Sequence, residues 1–340
     1  MIQGIGRKFL YLLKMAINMP KTKRQFKKAL ITGISGSGGS YLAEYILSSH
    51  PKTKVFGIYR KKNILNFKNI INKVDLIKCN LKDYSKLKKI LNKIKPDVIF
   101  HLASNADVKK SFSQPYEIIQ NNNLITLNLL ECVRKLKINP IIQICSTSEV
   151  YGNVDRKFMP INENCTLKPN NPYAVSKLFQ DTLAFNYFKN YNLKIIITRM
   201  FTYLNPRRKN LFASSWAYQV NRIKLGKQKT LMHGNLNSTR TIMDVRDAMR
   251  AYWLAVERCD VGEVYNIGSD YVINLKNFLK MLKSYSGITI VTKLDKRLLR
   301  KSDIGYQIPD SRKFSKKTGW SPEIPLSESI NYLIRETKKL

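Results

Sequence analysis

This chain is short of acidic residues: 23 Asp and Glu stand against 60 Lys and Arg in 340 residues, leaving a formal charge of +37. Such an excess raises nucleic-acid binding as a function class. That reading fails on distribution, because the basic residues run through the whole chain among abundant Ile and Asn, with no Arg/Lys stripe interleaved with aromatics. No nucleic-acid partner is expected, and the charge is left to attract an anionic substrate. Histidine is scarce too. His50, His101 and His233 lie too far apart to show a ligand spacing, so no metal is implied. The five cysteines (Cys79, Cys132, Cys145, Cys165, Cys259) form no Cys-x-x-Cys pair, which argues against a disulfide framework and a zinc site and fits a reducing cytoplasm. No run of about 18 apolar residues occurs, so no membrane span is expected.

Residues 1–27 contain no Asp or Glu, and the apolar run Phe9 to Leu13 is followed at once by Lys14. That is too short an apolar core for a secretory signal. A basic amphipathic surface helix fits the composition; a disordered extension, or a start at Met19, is the expectation. From Lys28 the pattern changes to apolar runs alternating with helical stretches. Candidate strands are 29–32, 55–59, 76–79, 98–102, 141–144 and 194–198, and candidate helices 41–49, 84–94, 124–136 and one starting at Pro172. This alternation predicts an α/β fold, a doubly wound parallel sheet of Rossmann type over 28–200. A segment near 240–265 is expected to return to it, and 201–340 to form mainly a smaller α/β substrate domain.

The first strand runs into Thr32-Gly33-Ile34-Ser35-Gly36-Ser37-Gly38-Gly39 and then a helix. Gly33, Gly36 and Gly39 suit a tight turn, close approach to a pyrophosphate and helix-on-strand packing, with Ser37 and Gly38 at the helix N-terminus. The second strand ends in Arg60-Lys61, where an acidic residue would read the ribose 2′-hydroxyl of NAD. A basic pair holds a 2′-phosphate instead, so the expected cofactor is NADP.

Cys145 to Lys177 carries the chemistry. Thr147 and Glu149 fall at the C-terminal end of a buried strand, where ligands sit in open α/β sheets. Asn171 caps and Pro172 starts a helix on which Tyr173 and Lys177 stand four apart on one face. A nearby ammonium is expected to lower the phenol pKa and fit Tyr173 for proton transfer.

Ser146-Thr147-Ser148-Glu149-Val150-Tyr151-Gly152 with Tyr173-x-x-x-Lys177 resembles the extended short-chain dehydrogenase/reductase superfamily. Asn80-Leu81 then takes the place near the adenine where many relatives have Asp-Leu. His101-Leu102-Ala103 resembles the segment beneath the cofactor, with His101 read as a packed core residue. Gly39 to Glu44, Asn205-Pro206-Arg207-Arg208, Gly234-Asn235-Leu236 with Arg240, and Asp244-Val245-Arg246-Asp247 narrow the resemblance to the branch of GDP-mannose 4,6-dehydratases and GDP-4-keto-6-deoxymannose reductases. In the dehydratases it implies that Tyr173, held by Lys177 and Thr147, takes the C4 hydroxyl proton as hydride passes to NADP⁺. Glu149 then removes the C5 proton, water leaves C6, and hydride returns to C6. The resemblance further implies a GDP-sugar partner contacted by Ser148, Thr202, Arg207, Arg240 and Arg300, and a homodimer or homotetramer. Arg207 and Arg208 also suit an oligomer contact. The segments 298–303 and 318–322 resemble the reductases at least as well, which keeps a reductase or epimerase as the alternative. Thr202 in place of Asn, and Asn105-Ala106 in place of Gln-Ser, leave the sugar open between a hexose and a heptose.

Overall fold

The computed structural model describes residues 23–61, 64–299 and 302–338. Residues 1–22 of the basic extension, and Arg300, lie outside the described residues. In chain order the elements are β1 (Lys28–Thr32), α1 (Ser37–Ser49), β2 (Lys54–Tyr59), β3 (Asp75–Lys78), α2 (Tyr84–Ile94), β4 (Val98–His101), α3 (Val108–Ser113), α4 (Pro115–Leu136), β5 (Ile141–Thr147), α5 (Pro172–Tyr191) and β6 (Lys194–Met200). After them come β7 (Tyr203–Leu204), α6 (Phe212–Lys224), β8 (Thr230–His233), β9 (Thr239–Thr241), β10 (Met243–Asp244), α7 (Val245–Arg258) and β11 (Val264–Ile267). The remainder is β12 (Val272–Asn274), α8 (Leu275–Ser286), β13 (Val291–Leu294), β14 (Tyr306–Gln307), α9 (Arg312–Thr318) and α10 (Leu326–Thr337).

Seven strands form one parallel sheet in the order β11-β6-β5-β4-β1-β2-β3. Its strands read as continuous apolar runs because both faces are covered, as a parallel sheet requires. On one face α1 and α7 bury Leu42, Ile46, Ala248 and Val256 against Ile31 and Phe100. On the other, α2, α4 and α5 bury Leu87, Leu129 and Ala184 against Leu30, Ile142 and Ile195. Chain direction across the sheet reverses between β1 and β4, so the loops leaving these two strands diverge and open a crevice at their carboxyl ends. A separate apolar cluster joins α6, α8 and α10 through Trp216, Phe278 and Leu333.

Several boundaries differ from the sequence reading, three of them with a physical reason visible in the packing. β5 continues three residues past Ile144, pairing Cys145, Ser146 and Thr147 with Thr198, Arg199 and Met200, so Thr147 is the last strand residue. α4 starts at Pro115, nine residues before Leu124, because its first half is rich in polar Asn that resembles loop. One of these, the fully buried Asn122, explains the choice: its amide accepts from Asn105 N (2.7 Å) and donates to Asn105 O (3.1 Å), bracing the loop after β4. Finally, part of the expected extension is packed. Arg24 donates to the carbonyls of Val256 and Cys259 at the end of α7, and Phe26 stacks edge-on against Trp253.

Candidate active site

A cavity of about 1080 Å³ opens at the crevice. Its wall is built from the turn after β1, the loop after β4 with α3, the end of β5, the start of α5, the loop after β6, and residues of the later segment such as Gly234, Ser238, Arg240 and Gln307.

The turn after β1 needs its glycines for space. Gly33 has φ +74°, and a Cβ there would lie 2.8 Å from Ala103 Cα; a Cβ on Gly39 would lie 2.5 Å from Gly33 O. The turn is thereby pressed between α1 and the loop after β4, with Gly36, Ser37, Gly38 and Leu102 on the cavity wall. Among the described residues no side chain caps α1 at Gly36, and a helix N-terminus of this kind suits an anion. Ser104 and Ser146 line the same wall, and each buries a hydroxyl with no hydrogen-bond partner among the described residues. Unmet polar groups of this kind fit a polar ligand. Arg60 and Lys61 leave the end of β2 exposed to solvent and stand outside the cavity wall. Asn80 is exposed at the end of β3, its Oδ1 accepting from Lys82 N (3.2 Å), while Leu81 is buried beneath it.

Thr147, Ser148, Glu149, Tyr173 and Lys177 all reach the cavity. Thr147 Oγ1 accepts from Glu149 N (3.3 Å), fixing the turn that carries the carboxylate. Asn171 caps α5 through Ala174 N (2.8 Å), which sets the phase on which Tyr173 and Lys177 share a face. The expected electrostatics of that pair is corrected. Burial raises the Tyr173 phenol, with the Arg208 guanidinium the largest opposing influence, and burial lowers the Lys177 amine. The reason is geometric as well as dielectric: Lys177 Nζ donates to Gln180 Oε1 (2.5 Å), the next turn of its own helix, and burial of a phenolate outweighs a neighbouring charge that is itself desolvated.

The expected substrate contacts divide. Thr202, Ser148 and Arg240 line the cavity, and Arg240 is aimed by its donation to Ile304 O (2.8 Å). Arg207 does not join them. Its guanidinium pairs with Glu44 (2.7 Å), donates to Ser40 Oγ (2.9 Å) and lies 3.8 Å over the Tyr41 ring, so it ties the loop after β7 to α1. Its neighbour Arg208 is the one on the wall. Sequence reading weighed these two arginines together, and a two-residue turn gave no signal to separate them. Tyr203, partly buried, and Tyr252, buried, also line the cavity without any motif to signal them, Tyr252 Oη lying 2.8 Å from Cys145 Sγ. Tyr252 lies on an amphipathic helix and reads as ordinary core.

A doubly wound parallel sheet with a glycine turn at its switch point and a Tyr-x-x-x-Lys helix beside a strand-end Thr defines an extended short-chain dehydrogenase/reductase. The family model for GDP-mannose 4,6 dehydratase matches residues 30–333, and the chain belongs to that family. It is 27% identical over 359 residues to a GDP-mannose 4,6-dehydratase of Vibrio cholerae, covering 92% of this chain and 94% of that protein. It is 26% identical to a GDP-6-deoxy-D-mannose reductase of Pseudomonas aeruginosa, covering 91% and 97%. Among solved structures, RMD from Pseudomonas aeruginosa complexed with NADPH matches with a TM-score of 0.81 at 25% identity, over 92% of this chain and 99% of that one.

Proposed function

We propose that this protein is an NADP-dependent 4,6-dehydratase converting a GDP-sugar, GDP-mannose or a related GDP-heptose, to its 4-keto-6-deoxy form. The observation that carries this reading is Glu149: a carboxylate on the same cavity wall as Tyr173 and Lys177. Oxidation at C4 needs one base, and removal of the C5 proton needs a second that can reach the neighbouring carbon.

In this reading the turn Gly33 to Gly39 with Leu102 and Ala103 would hold NADP, Asn80 and Leu81 would lie near the adenine, and Arg60 with Lys61 would meet the 2′-phosphate. Bound there, it supplies the store that takes hydride from C4 and later returns it to C6, so the cycle is redox-neutral. Tyr173, supported by Lys177 and Thr147, takes the proton of the C4 hydroxyl. The resulting 4-keto group acidifies C5–H. Glu149 accepts that proton as the C5–H electron pair becomes the C5–C6 double bond, the C6 hydroxyl leaves as water with the proton that Tyr173 took, and Glu149 returns its own proton to C5 when hydride reaches C6. Arg208 and Arg240, with Ser148 and Thr202, offer fixed donors to the anionic sugar nucleotide; guanidinium forks suit phosphate oxygens.

A GDP-4-keto-6-deoxysugar reductase is the second reading, favoured by the similarity to the P. aeruginosa reductase and to the NADPH complex of RMD from the same organism. Incubation with GDP-mannose and no added reductant separates them: a 4-keto product supports dehydration. Consumption of NADPH on a 4-keto sugar, with no keto product formed, overturns it. Glu149→Gln should oxidise C4 yet fail to eliminate water.

The reading extends to assembly and location. The outward face of α5 leaves Val175, Phe179 and Phe185 exposed, which supports a homodimer or homotetramer through that helix. Five unpaired cysteines support a cytoplasmic location. Among the described residues no helix is long and apolar enough to cross a membrane.

A further inference from the structure

Among the described residues the side chain that holds the Glu149 carboxylate is that of Asn171, which also caps the helix carrying Tyr173. Asn171 is buried, and its amide is fully used. Its Oδ1 accepts from Ala174 N (2.8 Å), and its Nδ2 donates both to Glu149 Oε2 (2.9 Å) and to Asn170 Oδ1 (3.1 Å). Asn170 in turn donates to Ser302 Oγ (2.9 Å). The orientation of the amide follows from these partners. A helix N–H must meet an oxygen and a carboxylate must meet a donor, so only one of the two flips satisfies both. As a helix cap alone, Ser or Asp would serve as well as Asn. What Asn adds is an N–H₂ group that reaches the carboxylate while the same amide's oxygen holds the helix.

We propose that Asn171 is the positioning residue for Glu149, registering the C5 base against the helix that carries the C4 base. The inference rests on the dehydratase reading of the site. A sugar bound with C4 at Tyr173 has C5 one bond away, so the carboxylate has to be fixed relative to α5 and not merely to the strand end from which it comes. The Asn171 amide is the link that does this. Its loss leaves Tyr173 in place and frees the Glu149 carboxylate to turn away.

Two substitutions separate this role from capping. Asn171→Ser keeps a cap and exchanges the Nδ2 donor to Glu149 for the single proton of a shorter side chain whose oxygen also has to hold the helix. Asn171→Asp keeps a cap and sets a second carboxylate against the first, where like charges repel. Both are compared with the wild-type enzyme on GDP-mannose with NADP⁺, following keto product, the absorbance of reduced nicotinamide, and KM alongside kcat. Expected for Asn171→Ser is a kcat lower by about tenfold or more, the low end of what a positioned acid–base group contributes, with KM little changed. Reduced nicotinamide should accumulate, because C4 is oxidised faster than water is eliminated. Asn171→Asp should be slower still. Thermal denaturation within a few degrees of wild type, on the scale of about 1 kcal/mol for a cap, shows that α5 is intact. Wild-type kcat in both variants overturns the inference. So does equal loss of C4 oxidation and elimination, which would mean that the whole helix had moved. Absence of keto product from the wild-type enzyme overturns the dehydratase reading and this inference with it, whereas product from wild type and from both variants alike overturns the inference alone.

Discussion

His101 is the residue through which pH should act on stability. It is fully buried, and its imidazole lies between Thr32 Oγ1 (2.9 Å from Nδ1) and Thr126 Oγ1 (2.9 Å from Nε2). Burial, with a smaller push from the Lys177 ammonium, lowers its pKa from 6.5 to about 3. A group whose folded pKa is depressed leaves the unfolded chain with more bound protons below pH 6.5. The folded state therefore loses stability as pH falls from 6.5 toward 3 and keeps it in full above 6.5. Each pKa unit corresponds to about 1.4 kcal/mol, so lowering the pH from about 7.5 to about 5 should cost about 2 kcal/mol through this residue alone. The assay is urea denaturation of wild type and His101→Asn at both pH values. An Asn oxygen can still accept from Thr32, and although the variant should be less stable overall, its loss on acidification should be smaller than that of wild type by about 2 kcal/mol. Equal losses in the two proteins would refute the reasoning, since every other titrating group is common to both.

Four other outcomes are expected. Gly39→Ala should weaken NADP binding by about tenfold or more, because a Cβ 2.5 Å from Gly33 O and 2.8 Å from Ile34 Cα meets only backbone, and overpacking of that kind costs about 1–3 kcal/mol; calorimetry showing wild-type affinity would contradict it. Arg208→Gln should move the rising limb of the rate of C4 oxidation to higher pH, since the guanidinium is the main influence lowering the Tyr173 phenol and a base is used deprotonated. Arg207→Gln should leave that limb in place while lowering Tm, because Arg207 bonds Glu44 and Ser40 on α1. Glu131, held down to about 2 chiefly by its hydrogen bonds with Arg134 and despite burial, should contribute stability above pH 4.5 that is lost as pH falls toward 2. Glu131→Gln should flatten that stretch of the acid denaturation curve.

The large sheet was legible because a parallel strand covered on both faces must be apolar along its length, and each of the six expected strands is in the sheet. Periodicity misses strand ends that turn polar to meet a ligand. Cys145, Ser146 and Thr147 continue β5 in register with β6, yet these residues line the cavity and the hydroxyls of Ser146 and Thr147 break the apolar run. It also misses strands two to four residues long whose partners are far away in sequence. β9 joins β12 and β14 across distant loops, and Arg240 is placed on the wall by that junction. Which of two adjacent arginines faces a cavity is likewise decided by neighbours outside the motif: Tyr41 and Glu44 draw Arg207 away.

The Tyr173–Lys177 pair acquires its geometry from a polar chain that no motif describes. Lys177 donates to Gln180, whose amide nitrogen donates to Asn122 O (2.9 Å) and to the Thr126 hydroxyl. Thr126 spends its own proton on Asn122 O (2.9 Å), so it can only accept from His101, which makes Nε2 the protonated nitrogen of a neutral ring. His101 Nδ1 then accepts from Thr32, whose oxygen also receives Ala103 N (3.3 Å) beside the glycine turn. Each link leaves the next only one role, and the sequence of roles ends at the backbone that packs against Gly33. A histidine kept neutral by burial thus links two elements of the cavity wall: it joins the helix that carries Tyr173 and Lys177 to the glycine turn after β1. Charging it would reverse the role of Nδ1 and place a second cation near Lys177. Acid should therefore disturb the alignment of these two elements at the same residue through which it lowers stability.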